Sequence, residues 1–247
     1  MRPGPRRSLT HAEILDVAFD LLEAKGFAAV SIRGVASGLG LTPTALYTYY
    51  PSKNALLRGM VEHLLARLDP GDVGETDAAR AAGADGAAGA ADDADAAGAD
   101  GAAAGRARLL ALALRLRELL TGHAGALGLI MSGPLDGPNA MRLNETLLES
   151  FMAAGLELDD AARAAYALQV YVLGSNALES ADLDAESEAA EASDRALTTK
   201  GAGATLWTDL ATFPLSERTE SVAAQHNSAA QFTWGVQRLL DGLIGAS

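Results

Sequence analysis

The sequence predicts an all-α protein: a three-helix helix-turn-helix domain at the amino end, then a larger helical domain. Three observations carry this. Apolar residues recur at three- and four-residue intervals in each patterned stretch, and no alternating runs suit strands. Gly, Pro and hydroxyl residues punctuate those stretches where helices start and stop. Between Ser31 and Lys53, SIRGVASGLGLTPTALYTYYPSK, two short helical patterns are joined by a tight turn, the arrangement by which a small domain pushes a helix into a DNA major groove.

The first element opens on a capping box, Thr10 paired with Glu13, with Leu9 placed to staple onto Ile14. Its helix is expected to bury Ile14, Val17, Ala18, Leu21 and Leu22 and to stop at Gly26. The second puts Ile32, Val35, Ala36 and Leu39 on one face, and Gly40 supplies the backbone for a reversal. Gly34 and Gly38 inside it cost roughly 1 kcal/mol each relative to alanine, which predicts a less rigid helix. Thr42 and Pro43 then restart the chain as N-cap and first helical residue. On this third element Leu46 and Tyr50 point inward, Thr44 and Thr48 face the opposite way, and Tyr47 lies on the flank. Such a short helix with a polar outer face is a reader helix. Pro51-Ser52 breaks and recaps the chain, starting a connecting helix over 52–68 that carries Leu56, Leu57, Met60, Val61, Leu64, Leu65 and Leu68.

Each piece also has a plainer reading. A helical hairpin with a glycine turn occurs as simple packing, and Tyr47, Tyr49 and Tyr50 alone suit half-buried core positions. The conjunction of cap, turn, reader helix, tyrosines, lysine and recap in one order points to DNA.

Residues 9–68 resemble the N-terminal DNA-binding domain of TetR-type transcriptional regulators, most specifically in LYTYYPSK, Leu46 to Lys53. A fainter likeness joins FTWGVQRLLDGL, Phe232 to Leu243, to the last helix of that family's ligand-binding domain. The resemblance implies that Tyr47 meets a phosphate and that Lys53 caps the next helix near the DNA backbone. It places Arg33 where a side chain reaches a base edge, where an arginine could take guanine O6 and N7 bidentately. Tyr49 stands where others often have histidine, and its hydroxyl could still meet a phosphate. No Arg, Lys, Asn or Gln lies between Thr42 and Tyr50. Base reading there would rest on the hydroxyls of Thr42, Thr44 and Thr48 and on apolar contact of Pro43, Thr44 or Ala45 with thymine methyls.

A net charge of −13 looks wrong for a DNA binder until it is divided. Residues 1–68 hold eight Lys/Arg against five Asp/Glu, net +3, and the remainder eleven against twenty-seven, net −16. Only the amino-terminal domain has the sign that phosphates attract. Arg2, Arg6 and Arg7 form a basic arm before the first helix, either an unstructured tail or a reach toward the backbone or minor groove. With no cysteine, disulfides, thiolate metal sites and thiol nucleophiles are excluded. The arginines are followed by no apolar leader, and no run of about eighteen apolar residues suits a membrane span. A cytoplasmic location without membrane attachment is the expectation.

Residues 69–105 read as an acidic Ala/Gly linker without order: 71–105 holds sixteen Ala, eight Gly and eight acids. Residues 179–204 read as a mobile acidic loop. Residues 106–247 form the second domain, with helical spacing over Arg106–Thr121, Gly125–Met131, Asn139–Ala154, Asp159–Leu178 and Gln225–Ile244. Along one side of the fourth lie Tyr166, Val170, Leu173 and Ala177. The helices near 159–178 and 225–244 are candidates for a homodimer interface, as the resemblance implies, or else are intramolecular core helices. Docking physics favours two copies, since paired reader helices about 34–36 Å apart read a palindrome. His123, Asn144, Phe151, Tyr166, Gln169 and Trp207 are candidates to line a pocket for a small, mostly apolar effector.

An enzyme is the competing class. No GxSxG, P-loop, HExxH or Rossmann glycine pattern appears, and His11, His63, His123 and His226 are scattered without metal-ligand spacing. Neither a cofactor nor a metal nor a catalytic residue is implied. The sequence therefore reads as a ligand-responsive regulator that binds a palindromic operator as a homodimer; that it represses is what the resemblance implies, repression being the commoner mode of that family. A helical dimeric protein-interaction module, or a regulator without effector control, is the alternative.

Overall fold

The structure, a computed structural model, describes residues 9–68, 93–123, 125–196, 213–223 and 225–245, with 93–100, 182–196, 220 and 223 described in their backbone alone. Among these residues all regular structure is helical. The amino-terminal domain comprises α1 (His11–Lys25), α2 (Ile32–Gly38), α3 (Pro43–Tyr47) and the connecting α4 (Lys53–Leu65), which tightens into a 3-10 turn at Ala66–Leu68. The second domain comprises α5 (Asp93–Thr121), α6 (Ala126–Ser132), α7 (Pro138–Ala153), α8 (Leu158–Ala196), the short α9 (Pro214–Arg218) and α10 (Glu220–Ala223), and α11 (Ala229–Ile244).

Local chemistry sets the amino-terminal boundaries. The capping box forms in full: the Thr10 hydroxyl accepts from Glu13 N, and the Glu13 carboxylate accepts from Thr10 N at 2.8 Å. Ser31, Thr42 and Ser52 cap α2, α3 and α4, accepting from the third residue onward in each case. Gly26 and Gly40 hold φ of 72° and 66°, a region open to glycine without strain. The core of α1 includes Leu15 and Phe19 beside Ile14, Ala18 and Leu22, with Val17 and Leu21 only partly buried. All seven expected residues of the connecting helix are buried.

Gly34 and Gly38 have a packing reason beyond propensity. A Cβ on Gly38 would lie 2.7 Å from Val17 Cγ1, and one on Gly34 would lie 3.0 Å from Ala29 O and Leu21 Cδ2. The two glycines let α2 settle against α1, so their intrinsic helix cost is offset by close approach.

Four expectations for the second domain need correction. The linker expected over 69–105 is helical from Asp93, since α5 extends thirteen residues ahead of Arg106. Alanine is the best helix former, and Gly105 is buried where a Cβ would lie 2.6 Å from Ser150 O, so small residues dock this segment on α7. Residues 69–92 lie outside the described residues. The loop expected over 179–204 is helical to Ala196 as the continuation of α8, in keeping with its alanine content; 197–204 lies outside the described residues. Helix α8 begins at Leu158 rather than Asp159, so Asp159 and Asp160 sit in its first turn, where negative charge suits the dipole. Helix α11 starts at Ala229 rather than Gln225, because the Ser228 hydroxyl accepts from Gln231 N at 3.1 Å.

Helix α8 is apolar on two sides. Ala161, Ala164, Ala165, Leu168 and Val172 enter the core, whereas Tyr166 is 70% exposed and Val170 50%. Helix α11 buries Phe232, Val236 and Leu240 and leaves Trp234 58% exposed. Arg117 ties α5 to both helices, pairing with Glu179 at 2.7 Å and lying over the Phe232 ring at 5.2 Å.

Candidate nucleic-acid interface and cavity

Helix α3 is five residues long and has little stability of its own, so its position comes from what it buries. Leu46 is fully buried and Tyr50 nearly so, and burial pushes the Tyr50 hydroxyl pKa up. The ring of His11, first residue of α1, meets Tyr50 and Tyr49 edge-on at 5.1 and 5.7 Å. The three tyrosines thus divide: Tyr50 is core, Tyr49 is half-buried against the core, and Tyr47 is 50% exposed.

The outer face of α3 is what a groove would meet. Thr42, Pro43, Thr44 and Thr48 are exposed and Ala45 is half-buried. The Thr42 hydroxyl is engaged as N-cap, accepting from Ala45 N at 3.3 Å. Thr48 donates its hydroxyl to Ala45 O at 2.6 Å, so toward solvent it offers lone pairs and a methyl group. Among the described residues nothing hydrogen-bonds the Thr44 hydroxyl, which is left for an outside partner. Arg33 is exposed on α2. Lys53 is the first residue of α4, exposed, its ammonium 5.6 Å from the centre of the Phe27 ring; the cap itself is Ser52. All nine candidate contacts thus fall on α2, on α3 with the residues that flank it, and at the start of α4. The arm with Arg2, Arg6 and Arg7 lies outside the described residues.

The pocket candidates do not stay together. Asn144 and Gln169 line a cavity of about 150 Å³ with Leu65, Leu116, Ile130 and Leu173; Leu135, Ala140, Met141 and Leu143 complete it. Phe151 is fully buried in the core, and Tyr166 lies on the exposed side of α8, because its position places it opposite Leu168 and Val172. Trp207 lies outside the described residues. His123 belongs to a polar bridge between domains: Nδ1 lies 3.1 Å from Glu23 Oε1 on α1, and Nε2 lies 3.0 Å from Arg67 just after α4.

The residues joining the cavity to the amino-terminal domain were not among the sequence candidates. Leu65, on α4, is part of the cavity wall. One turn earlier, the Glu62 carboxylate accepts from Asn139 N at 2.6 Å and Ala140 N at 3.1 Å, while Asn139 Nδ2 donates to Glu62 O at 3.0 Å. Glu62 thereby caps α7 from another domain, because the local N-cap, Gly137, has no side chain to do so. A Cβ on Gly137 would overlap the Glu62 carboxylate, so a side chain there would displace the cap. Arg58 adds a bidentate pair to Asp136, 2.6 Å from Nε and 2.8 Å from Nη2. The only local sign of this joint was Gly137-Pro138, a helix start without a capping side chain; the sequence names no partner 77 residues away.

Comparisons with known proteins agree with this architecture. The family described as "Bacterial regulatory proteins, tetR family" matches residues 14–60, and "Tetracyclin repressor-like, C-terminal domain" matches residues 97–245. The HTH-type transcriptional repressor DrrR1 of Streptomyces coeruleorubidus is 28% identical over 173 residues, 70% of this chain and 54% of that relative. The chain thus spans about half the length of that relative. The putative mycofactocin biosynthesis transcriptional regulator MftR of Mycobacterium tuberculosis is 43% identical over 67 residues, 27% of this chain and 34% of the relative. Among solved structures, a "possible TetR family transcriptional regulator" from Streptomyces coelicolor A3(2) is 26% identical with a TM-score of 0.67, covering 96% of this chain and all of that one. ActR of Streptomyces coelicolor, solved in complex with actinorhodin, shares the fold at 18% identity and a TM-score of 0.68, covering 97% and 99% of the two chains. With the second of these family matches extending over more than half of its length, the chain belongs to the TetR family of bacterial regulatory proteins.

Proposed function

We propose that the protein is a ligand-responsive transcriptional repressor. It acts in the cytoplasm by binding and not by catalysis, occupies a palindromic operator as a homodimer, and is released by a small, mostly apolar molecule. The observation that carries this is the division of α3: Leu46 and Tyr50 anchor it while Thr44, Thr48 and Tyr47 face outward. Tyr47 and Lys53 meet phosphates, Arg33 reaches a base edge, and the threonines with Pro43 and Ala45 read the groove floor. The exposed apolar sides of α8 and α11, at Tyr166, Val170 and Trp234, pair across a two-fold axis.

The effector occupies the cavity lined by Asn144 and Gln169. Its support is the wall shared with α4 through Leu65 and the clamp of Glu62 on α7. An occupant that favours one position of α7 over another biases α4, and α4 carries the reader domain. Coupling of about 1–3 kcal/mol, 5–150-fold in operator affinity, is typical of such linkage. The ligand-bound ActR structure supports an effector by analogy. Fluorescence anisotropy of the full chain with duplexes from the DNA flanking its coding sequence tests the reading. Tight binding to one duplex and not to its scrambled counterpart is expected; equal, weak binding to both would refute it.

A further inference from the structure

We infer that the occupant of the α4–α8 cavity is an uncharged molecule with a body the size of a single ring and one group that both donates and accepts hydrogen bonds, such as a carboxamide or an alcohol. This rests on reading that cavity as the effector site, and it adds the chemical class.

Three features of the lining lead there. First, no lining residue carries a charge. The nearby charges are already engaged, Arg58 with Asp136 and Glu62 on the N–H groups of Asn139 and Ala140. A carboxylate or ammonium entering would lose water without gaining a counter-charge, which is costly in an apolar enclosure. Second, eight of the ten lining residues are Leu, Ile, Ala or Met, and Asn144 and Gln169 are the two exceptions. Each carboxamide brings donors and an acceptor, and no hydrogen bond joins either side chain to another described residue. A ligand group with both polarities would satisfy them; a pure hydrocarbon would leave them poorly solvated. Third, the volume is about 150 Å³, and a cavity of about that size accommodates benzene. Leu135 and Met141, each about half exposed, form the mouth, and methionine adapts readily to an extension of the ligand.

The test is calorimetric titration of the full chain with four probes built on one benzene ring: benzamide, toluene, benzoate and benzylammonium. Benzamide is expected to bind about ten-fold more tightly than toluene, and at least about ten-fold more tightly than either ion. In the Asn144→Leu, Gln169→Leu double variant, benzamide should lose its advantage over toluene. Either ion matching benzamide, an unchanged ranking in a folded double variant, or no binding by any probe would overturn the assignment. The wild-type ranking decides the matter if the variant does not fold. Duplex binding by the same preparations separates the two readings: intact duplex binding with a failed ranking removes only the ligand class, whereas the expected ranking without duplex binding removes only the repressor.

Discussion

The carboxylate of Glu62, on α4, accepts the backbone N–H of Asn139, on α7, at 2.6 Å. With the Ala140 N–H at 3.1 Å on its other oxygen, this carboxylate closes the amino-terminal end of a helix in one domain with a side chain from the other. It places a charge where the α7 dipole favours one and satisfies N–H groups that Gly137 cannot reach. The cavity wall and the connecting helix are therefore joined at this clamp, beside the Arg58–Asp136 pair.

Glu62→Gln should weaken that joint. Loss of a charge-assisted cap costs on the order of 1–2 kcal/mol, and the Asn139 and Ala140 amides should exchange hydrogen faster. Denaturant melts with site-resolved hydrogen exchange read both effects. Unchanged protection at the two amides would mean that the bond contributes nothing to the end of α7.

The Arg58–Asp136 pair gives a pH signature. Its hydrogen bonds hold the Asp136 carboxyl below the usual value of 3.8 and raise the Arg58 guanidinium further. A carboxyl whose folded pKa is depressed adds stability above its unfolded pKa and loses it as pH falls through the folded value. Asp136→Asn should therefore be less stable than the parent at neutral pH, and the gap should close below about pH 4. The pair is solvent-exposed, so the effect is small. Denaturant midpoints across the acid range measure it; a gap independent of pH would show that the variant acts through packing.

Glycine substitutions separate propensity from packing. Gly38→Ala gains about 1 kcal/mol of helix propensity, yet its Cβ would crowd Val17 Cγ1 at 2.7 Å, on a stiff side chain. Overpacking costs about 1–3 kcal/mol, so net destabilisation is expected. Gly242→Ala, in α11, meets nothing within 4 Å and should be neutral or stabilising. Melting temperatures that rise for both would show that α2 does not need its close approach to α1.

The amino-terminal fold was legible because its signals are local. Thr10 with Glu13, Ser31, Thr42-Pro43 and Ser52 each act within three residues, and the Leu46/Tyr50 spacing alone orients α3. What escaped depends on long-range packing. Alanine- and glycine-rich stretches give no periodic contrast, so the early start of α5 and the extension of α8 went unread. The apolar side of α8 read at Tyr166 and Val170 is the side facing away from the core, since alanines fill the buried one. Asn144 and Gln169 are candidates as polar or aromatic residues on helical faces, but the same criterion also selects Phe151, Tyr166 and His123, which the packing sends elsewhere.

Single substitutions sort the DNA contacts. Tyr47→Phe and Lys53→Ala should weaken binding to every duplex, with Lys53→Ala reducing the salt slope by about 1, whereas Arg33→Ala should relax preference at one position per half-site. Competition against a set of singly substituted duplexes measures this. Equal loss on every duplex for Arg33→Ala would assign Arg33 to phosphate.

The exposed side of α8 should control assembly. Tyr166→Glu with Val170→Glu places charge on an apolar face outside the monomer core, so the fold should persist while the dimer dissociates. Sedimentation with circular dichroism reads mass and helix content together; an unchanged dimer would move the interface elsewhere.

Hydroxyl-radical footprinting of the full chain on its operator tests the central claim most directly, that two symmetric copies of α3 enter the major groove. The account predicts two protected patches on one face of the duplex, centred about 34–36 Å apart or a multiple of that, both lost in the Tyr166→Glu, Val170→Glu variant. A single patch, or protection that survives in a monomer, would contradict it.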